Sequence, residues 1–238
     1  MRYDVSVRPD IYIVGQNITK AEAHAMKVAK GGPRLVRVAH GIYFSLRTRE
    51  TDPQPEQDAE VNSLFSLYGL RIANHLLPDS GLTHSTAYYR TPVDGRIFVG
   101  GAYSYRKVIA ERFGKTDLGI IQSGITSWFF DKARDKESVR LLLSDSDLFS
   151  ATPFRDALGD YKIPVQTKEM ILLTQYESIK HNQDKLLRKQ EIDQLTSDLI
   201  RQYGGTVPML DRIRQIATKV SKTNEYERLL KTILSTKP

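Results

Sequence analysis

Arg34-Leu-Val-Arg-Val-Ala-His-Gly-Ile-Tyr-Phe44 is the stretch from which the fold is read. It predicts two short strands, Arg34–Val38 and Ile42–Ser45, joined at His40-Gly41, where a glycine admits the positive φ of a tight turn. Leu35, Val36 and Val38 are expected to form a buried face, with Arg34 and Arg37 facing solvent. Just before it, Thr19-Lys-Ala-Glu22 is a capping box: the Thr19 hydroxyl accepts from a first-turn amide and Glu22 reaches back. A helix should run from Lys20 to about Lys30 on an apolar stripe of Ile18, Ala21, Ala25 and Val28, and Gly31-Gly32-Pro33 should stop it. A helix leading into a basic two-stranded ribbon is how a small winged helix-turn-helix module ends. No room remains between those glycines and the first strand for a further recognition helix.

Outward from this stretch, Ile11–Val14 is β-prone, as is Tyr3–Val7 before the turn Arg8-Pro-Asp10. On the other side, the polar, proline-bearing Thr51–Asp58 reads as a linker. Val61, Leu64, Phe65, Tyr68, Ile72, Leu76 and Leu77 then recur at helical spacing until Pro78. A short helix over His84–Tyr89 and strands at Ile97–Gly100, Tyr103–Ile109, Leu118–Ser123, Ser127–Phe130 and Tyr161–Val165 predict a small mixed sheet, with Pro153-Phe-Arg-Asp156 as a loop. Helices follow from Thr167, over Arg188–Tyr203 and Val207–Val220, broken apart at Gly204-Gly205, and a final one carries Tyr226, Leu229, Leu230 and Ile233. The fold class is therefore α+β: a winged-helix-like module over 1–50, an α/β domain over 51–166 and a helical region over 167–238.

Charge divides along the same lines. The 238 residues carry a formal +7, of which residues 1–49 hold +6, residues 50–176 hold −3 and residues 177–238 hold +4. A basic front suits a polyanion that the middle would repel. With no cysteine, disulfides and thiolate chemistry are excluded, and the five histidines show no ligand spacing, so neither metal nor cofactor is expected. No apolar run reaches the roughly 20 residues of a membrane span and no signal peptide is visible, so the expected place is the cytoplasm, with no membrane partner.

Lys27, Lys30, Arg34, Arg37, Arg47 and Arg49 are the candidate phosphate contacts, and His40 at the hairpin tip is a candidate for a minor groove. Tyr43 and Phe44 are expected in the core. A rival reading takes Asp160-Tyr-Lys162 as half of a Mg²⁺-dependent nuclease, with Asp145, Asp147 or Asp156 as the second carboxylate. His84-Ser85 and Ser123 lack the glycine-framed elbow of a nucleophilic serine. No catalytic constellation stands out, and the chain is expected not to be an enzyme.

The wing sequence Leu35-x-Arg37-x-x-x-Gly41-x-Tyr43, together with Leu82-Thr-His-Ser-Thr-Ala87, resembles the AbiEi antitoxins of type IV toxin–antitoxin systems. Pro92-Val-Asp-Gly-Arg-Ile-Phe98 and Gly204-Gly205 followed by Leu210-Asp-Arg-Ile-Arg214 are similar to AbiEi-like regions ahead of catalytic domains in large Fic or HipA-type proteins. The resemblance implies a winged-helix domain on operator DNA, repression of its own operon, and a second domain that counteracts a toxin protein. The Fic H-P-F-x-x-G-N segment and the kinase motifs are not present in this sequence. The chain is then either an antitoxin-like regulator or, ending as it does after a helix at Leu234–Pro238, the regulatory front of a larger toxin.

Overall fold

The computed structural model describes residues 9–28, 34–101, 112–113, 116–117, 119–122, 136–177 and 186–235. At the front lie strand β1 (Ile11–Ile13), helix α1 (Lys20–Val28) and strands β2 (Arg34–Ala39) and β3 (Ile42–Leu46), with the strands in the antiparallel order β1-β3-β2. The capping box forms: Thr19 N–H donates to Glu22 Oε2 at 2.8 Å, and Glu22 N–H to Thr19 Oγ1 at 3.2 Å. Gly41 turns the hairpin at φ 74°.

Strand parity corrects two expectations. Successive side chains alternate between faces, so Arg34 and Arg37, three apart, cannot share one. Val36, Phe44 and Leu46 turn with Ile11 and Ile13 toward the main apolar cluster, while Tyr12, Leu35 and Tyr43 pack with Ile18, Ala23 and Met26 of the α1 side. Arg34 pairs in register with Leu46 and therefore points inward; Arg37 pairs with Tyr43 and points toward α1. A bulge between Arg37 and Ala39 lets Val38 and Ala39 both reach the core. The narrow sheet accepts one edge of α1, through Ala23 and Met26, and leaves the expected Ala21 and Ala25 exposed.

Helix α2 (Gln54–Leu76) begins inside the expected linker, because Pro55 sits in its first turn, where no N–H is needed for an intrahelical bond. Val61, Leu64, Phe65, Tyr68 and Ile72 are buried as their spacing predicts. Arg34 donates to Gln57 Oε1 at 2.7 Å, and Glu60 accepts from the N–H groups of Arg47 and Thr48, which fixes the end of β3 onto α2.

The second sheet contains β4 (Ser80–Leu82), β5 (Arg96–Gly101), β8 (Gly119–Gln122), β9 (Phe149–Asp156) and β10 (Gly159–Gln166) in the order β8-β5-β4-β10-β9. It is mixed: β8/β5 and β4/β10 are parallel, β5/β4 and β10/β9 antiparallel. A two-strand ribbon, β6 (Arg112–Phe113) with β7 (Thr116–Asp117), lies before β8 in the chain. Helices α3 (His84–Tyr89) and α4 (Lys136–Leu143) accompany the sheet, the latter not expected from the sequence. The segments Tyr3–Val7, Tyr103–Ile109 and Ser127–Phe130 lie outside the described residues.

Pro153, expected in a loop, lies within β9. The two-residue turn Ala157-Leu158 makes Asp156 and Gly159 a hydrogen-bonded pair, and every second pair after it is hydrogen-bonded. Pro153 opposite Lys162 falls at an intervening position, so its backbone faces away from β10 and no ladder bond is lost. Among the described strands β9 is the sheet edge.

Thr167 caps α5 (Lys168–Thr174), and α6 (Lys189–Tyr203), α7 (Thr206–Lys219) and α8 (Thr223–Ser235) follow, with Gly204 at φ 74° ending α6 as the sequence requires. A buried polar contact joins these helices to the sheet: His84 Nε2 lies 3.1 Å from Glu177 Oε2, and Lys222 Nζ donates to Glu177 Oε1 at 2.7 Å. Burial works to raise the Glu177 carboxyl, but the hydrogen bond with His84 and the charges of His84 and Lys222 outweigh it and hold it down at about 2. One apolar cluster extends from Ile11 and Phe44 through Phe65 and Val165 to Ile213 and Leu229.

Candidate nucleic-acid interface

The cations of the front converge because two periodicities coincide. Lys20, His24 and Lys27 stand at i, i+4 and i+7 of α1, on one helical face. Opposite them Arg37 and Tyr43, cross-strand partners, present the outward face of the hairpin, with His40 at its tip. Between the two walls is a cleft of about 280 Å³, lined also by Val14, Ala23 and Gly41.

Tyr43 is half-buried, packed against the small apolar cluster, and Lys27 Nζ lies 4.3 Å from its ring centroid. A cation over an aromatic face gains on the order of 0.5–1 kcal/mol at an exposed site, which holds the ammonium at the mouth. Arg37 NH2 lies 3.4 Å from His40 Nδ1, and Arg37 Nε donates to the Ala39 carbonyl at 3.4 Å, so the fork is aimed along the tip.

Among the described residues no carboxylate lines this cleft, whereas three other clefts carry Asp58, Asp79 and Asp94 in their walls. Neither a family model, nor a curated protein, nor a solved structure matches the chain. The reading of the site therefore rests on its own chemistry.

Of the seven cationic candidates, Lys27, Arg37 and His40 come together here. Arg34 is directed to α2, donating to the Thr48 carbonyl at 3.2 Å as well as to Gln57. Arg47 is exposed, 3.6 Å from Asp10, and Arg49 is exposed beyond the end of β3. Lys30 lies outside the described residues. Lys20 and His24 were not among the candidates, although their spacing from Lys27 was legible. Phe44 is fully buried, as expected.

The residues of the nuclease reading occupy different surroundings. Asp156 is buried against Arg71, whose Nε donates to Oδ2 at 2.6 Å; Asp147 accepts from Lys219 Nζ at 3.0 Å and also pairs with Arg212. The hydrogen bonds from Lys219 and Arg212 hold the Asp147 carboxyl below its ordinary range. Asp160 stands in solvent, 3.4 Å from Arg155, with Lys162 exposed two residues on. Among the described residues no three His, Asp or Glu side chains come together as metal ligands. His84 and Ser85 are fully buried, and Ser123 lies outside the described residues. Among the described residues no helix is long and apolar enough to cross a membrane.

Proposed function

We propose that this chain is a non-catalytic, antitoxin-like regulator that holds DNA through its front module, a reduced winged helix in which α1 and the β2–β3 hairpin form the two lips of a phosphate-binding cleft. One observation carries the reading: Lys20, Lys27 and Arg37, with His24 and His40, converge on a concave surface with no carboxylate among the described residues of its wall. Cations brought together on one concave surface repel one another, and a polyanion relieves that repulsion while releasing its condensed counterions. The sheet order β1-β3-β2 behind the helix and the short glycine turn fit a wing. Control of a toxin by the remainder of the chain follows from the likeness of Leu35–Tyr43 and Leu82–Ala87 to AbiEi antitoxins.

The test is duplex binding as a function of salt. Replacing Lys27 and Arg37 together by alanine should weaken binding at every sequence and flatten the slope of log K against log salt by about 1.8, since each phosphate contact contributes roughly 0.9. A folded double variant with an unchanged slope would show that the duplex lies elsewhere. For the toxin arm, a neighbouring toxin gene whose growth arrest is relieved by co-expression supports the assignment. Relief that persists without residues 50–238 assigns it to the wrong part of the chain.

A further inference from the structure

The cleft is concave, with cations on both of its facing walls. Consecutive phosphates of a DNA strand are separated by a sugar, so a strand laid along a cleft of about 280 Å³ brings only a few, widely spaced charges to it. Lys20 to Lys27 covers seven residues of helix, a rise of about 10 Å, and the cationic groups follow that line with Arg37 facing them. Phosphates joined through single bridging oxygens would bring several negative charges into the same length. We infer that the cleft is also a site for a linear polyphosphate, as the tail of a nucleoside triphosphate or as inorganic tripolyphosphate, which competes there with DNA. The inference rests on the anion-binding character proposed above and adds a regulator of it.

The surroundings suit such a ligand. Small-molecule sites are concave and close on their ligand, in contrast to the rim of a duplex contact. Charge-assisted hydrogen bonds from an Arg fork and two ammonium groups are the recurring recognition of phosphate oxygens. The Tyr43 ring has Lys27 above it and the apolar cluster of Tyr12, Ile18 and Ala23 around it, so it fixes the ammonium and offers no free face for stacking a base. Recognition is therefore of the phosphates, and the nucleoside contributes little.

The experiment titrates the full chain calorimetrically with sodium tripolyphosphate, ATP and orthophosphate at matched ionic strength, then repeats each titration against a labelled duplex. Expected are one-to-one binding of tripolyphosphate and ATP within about threefold of each other, orthophosphate at least tenfold weaker, and displacement of the duplex. Lys20→Ala and Lys27→Ala should each weaken tripolyphosphate at least fivefold, while Lys189→Ala on α6 leaves it unchanged. Duplex that stays bound, with displacement no greater than sulfate gives at equal ionic strength, overturns the polyphosphate site and leaves the DNA reading standing. Tripolyphosphate that binds where no duplex does supports the site and removes the DNA reading. ATP binding at least tenfold tighter than tripolyphosphate, and unaffected by Lys27→Ala, would place recognition in the nucleoside and overturn the inference.

Discussion

The β2–β3 and β9–β10 hairpins are built alike and use charge in opposite ways. Both turn near a glycine of positive φ, Gly41 at 74° and Gly159 at 107°, and both carry charged side chains along their strands. In β9–β10 those charges are matched: Arg71 from α2 reaches Asp156 and the Gly159 carbonyl, each at 2.6 Å, while stacked 4.3 Å from the Tyr161 ring, and Arg155 faces Asp160. In β2–β3 the outward cation converges with those of α1 on a cleft that has no acid among its described lining residues. Opposite charges held together tie a fold, whereas like charges gathered on one concave surface are the arrangement an anion would favour.

The largest effect should come from removing the cation that clamps the second hairpin. Arg71→Ala leaves the Asp156 carboxylate buried without it, and urea unfolding should show a loss of about 3–5 kcal/mol. A loss below 1 kcal/mol would mean that the pair is no strut and would blur the contrast between the hairpins.

Glu177 extends the same rule to pH. Its carboxyl is held at about 2, against an ordinary value of 4.5. A depressed carboxyl stabilises the fold fully above 4.5, and that contribution disappears as pH falls through about 2. The difference corresponds to about 3 kcal/mol. Glu177→Gln should be less stable than the parent near neutrality, and the two should converge in unfolding free energy between pH 4.5 and 2. Parallel curves over that window would contradict the assignment.

Within the first hairpin, Arg34 and Arg37 should separate. Arg34→Ala removes hydrogen bonds to Thr48 and Gln57 and should lower stability by about 1–2 kcal/mol, leaving the salt slope of duplex binding at the parent value. Arg37→Ala should flatten that slope by about 0.9 with less effect on denaturation. If Arg34→Ala changes the slope as much as Arg37→Ala, the facing deduced from strand parity is wrong for function. The smallest effect belongs to Asp160→Ala in the second hairpin: an exposed pair with Arg155 should shift stability by less than about 0.5 kcal/mol in either direction.

What could be read from sequence was what neighbouring residues decide together. The capping box at Thr19 and Glu22, the end of α2 before Pro78, the break at Gly204-Gly205 and the turn at Gly41 all depend on a few adjacent side chains, and all form. Arg34 was equally legible, since parity alone sends it to the side opposite Arg37. Pro153 was not, because a proline is tolerated in β9 only through that strand's position at the edge of the described strands, which no local pattern encodes. The partner of Arg71 lies 85 residues away, so nothing near it announced a buried ion pair. In the cleft, Lys27, Arg37 and His40 were found by charge near a turn, but Lys20 and His24 needed the helix face to be laid against the hairpin.

Pro153 also bears on how copies of the chain meet at high concentration. The outward positions of β9 are Phe149, Ala151, Pro153 and Arg155; the Phe149 N–H is already given to the Asp145 carbonyl, and Pro153 has none to give. A foreign strand laid along this rim would find amide donors only at Ala151 and Arg155, with a gap between them where a continuous zipper needs a bond. Edge-to-edge stacking along β9 should therefore be interrupted at the proline, the placement expected of a gatekeeper against aggregation.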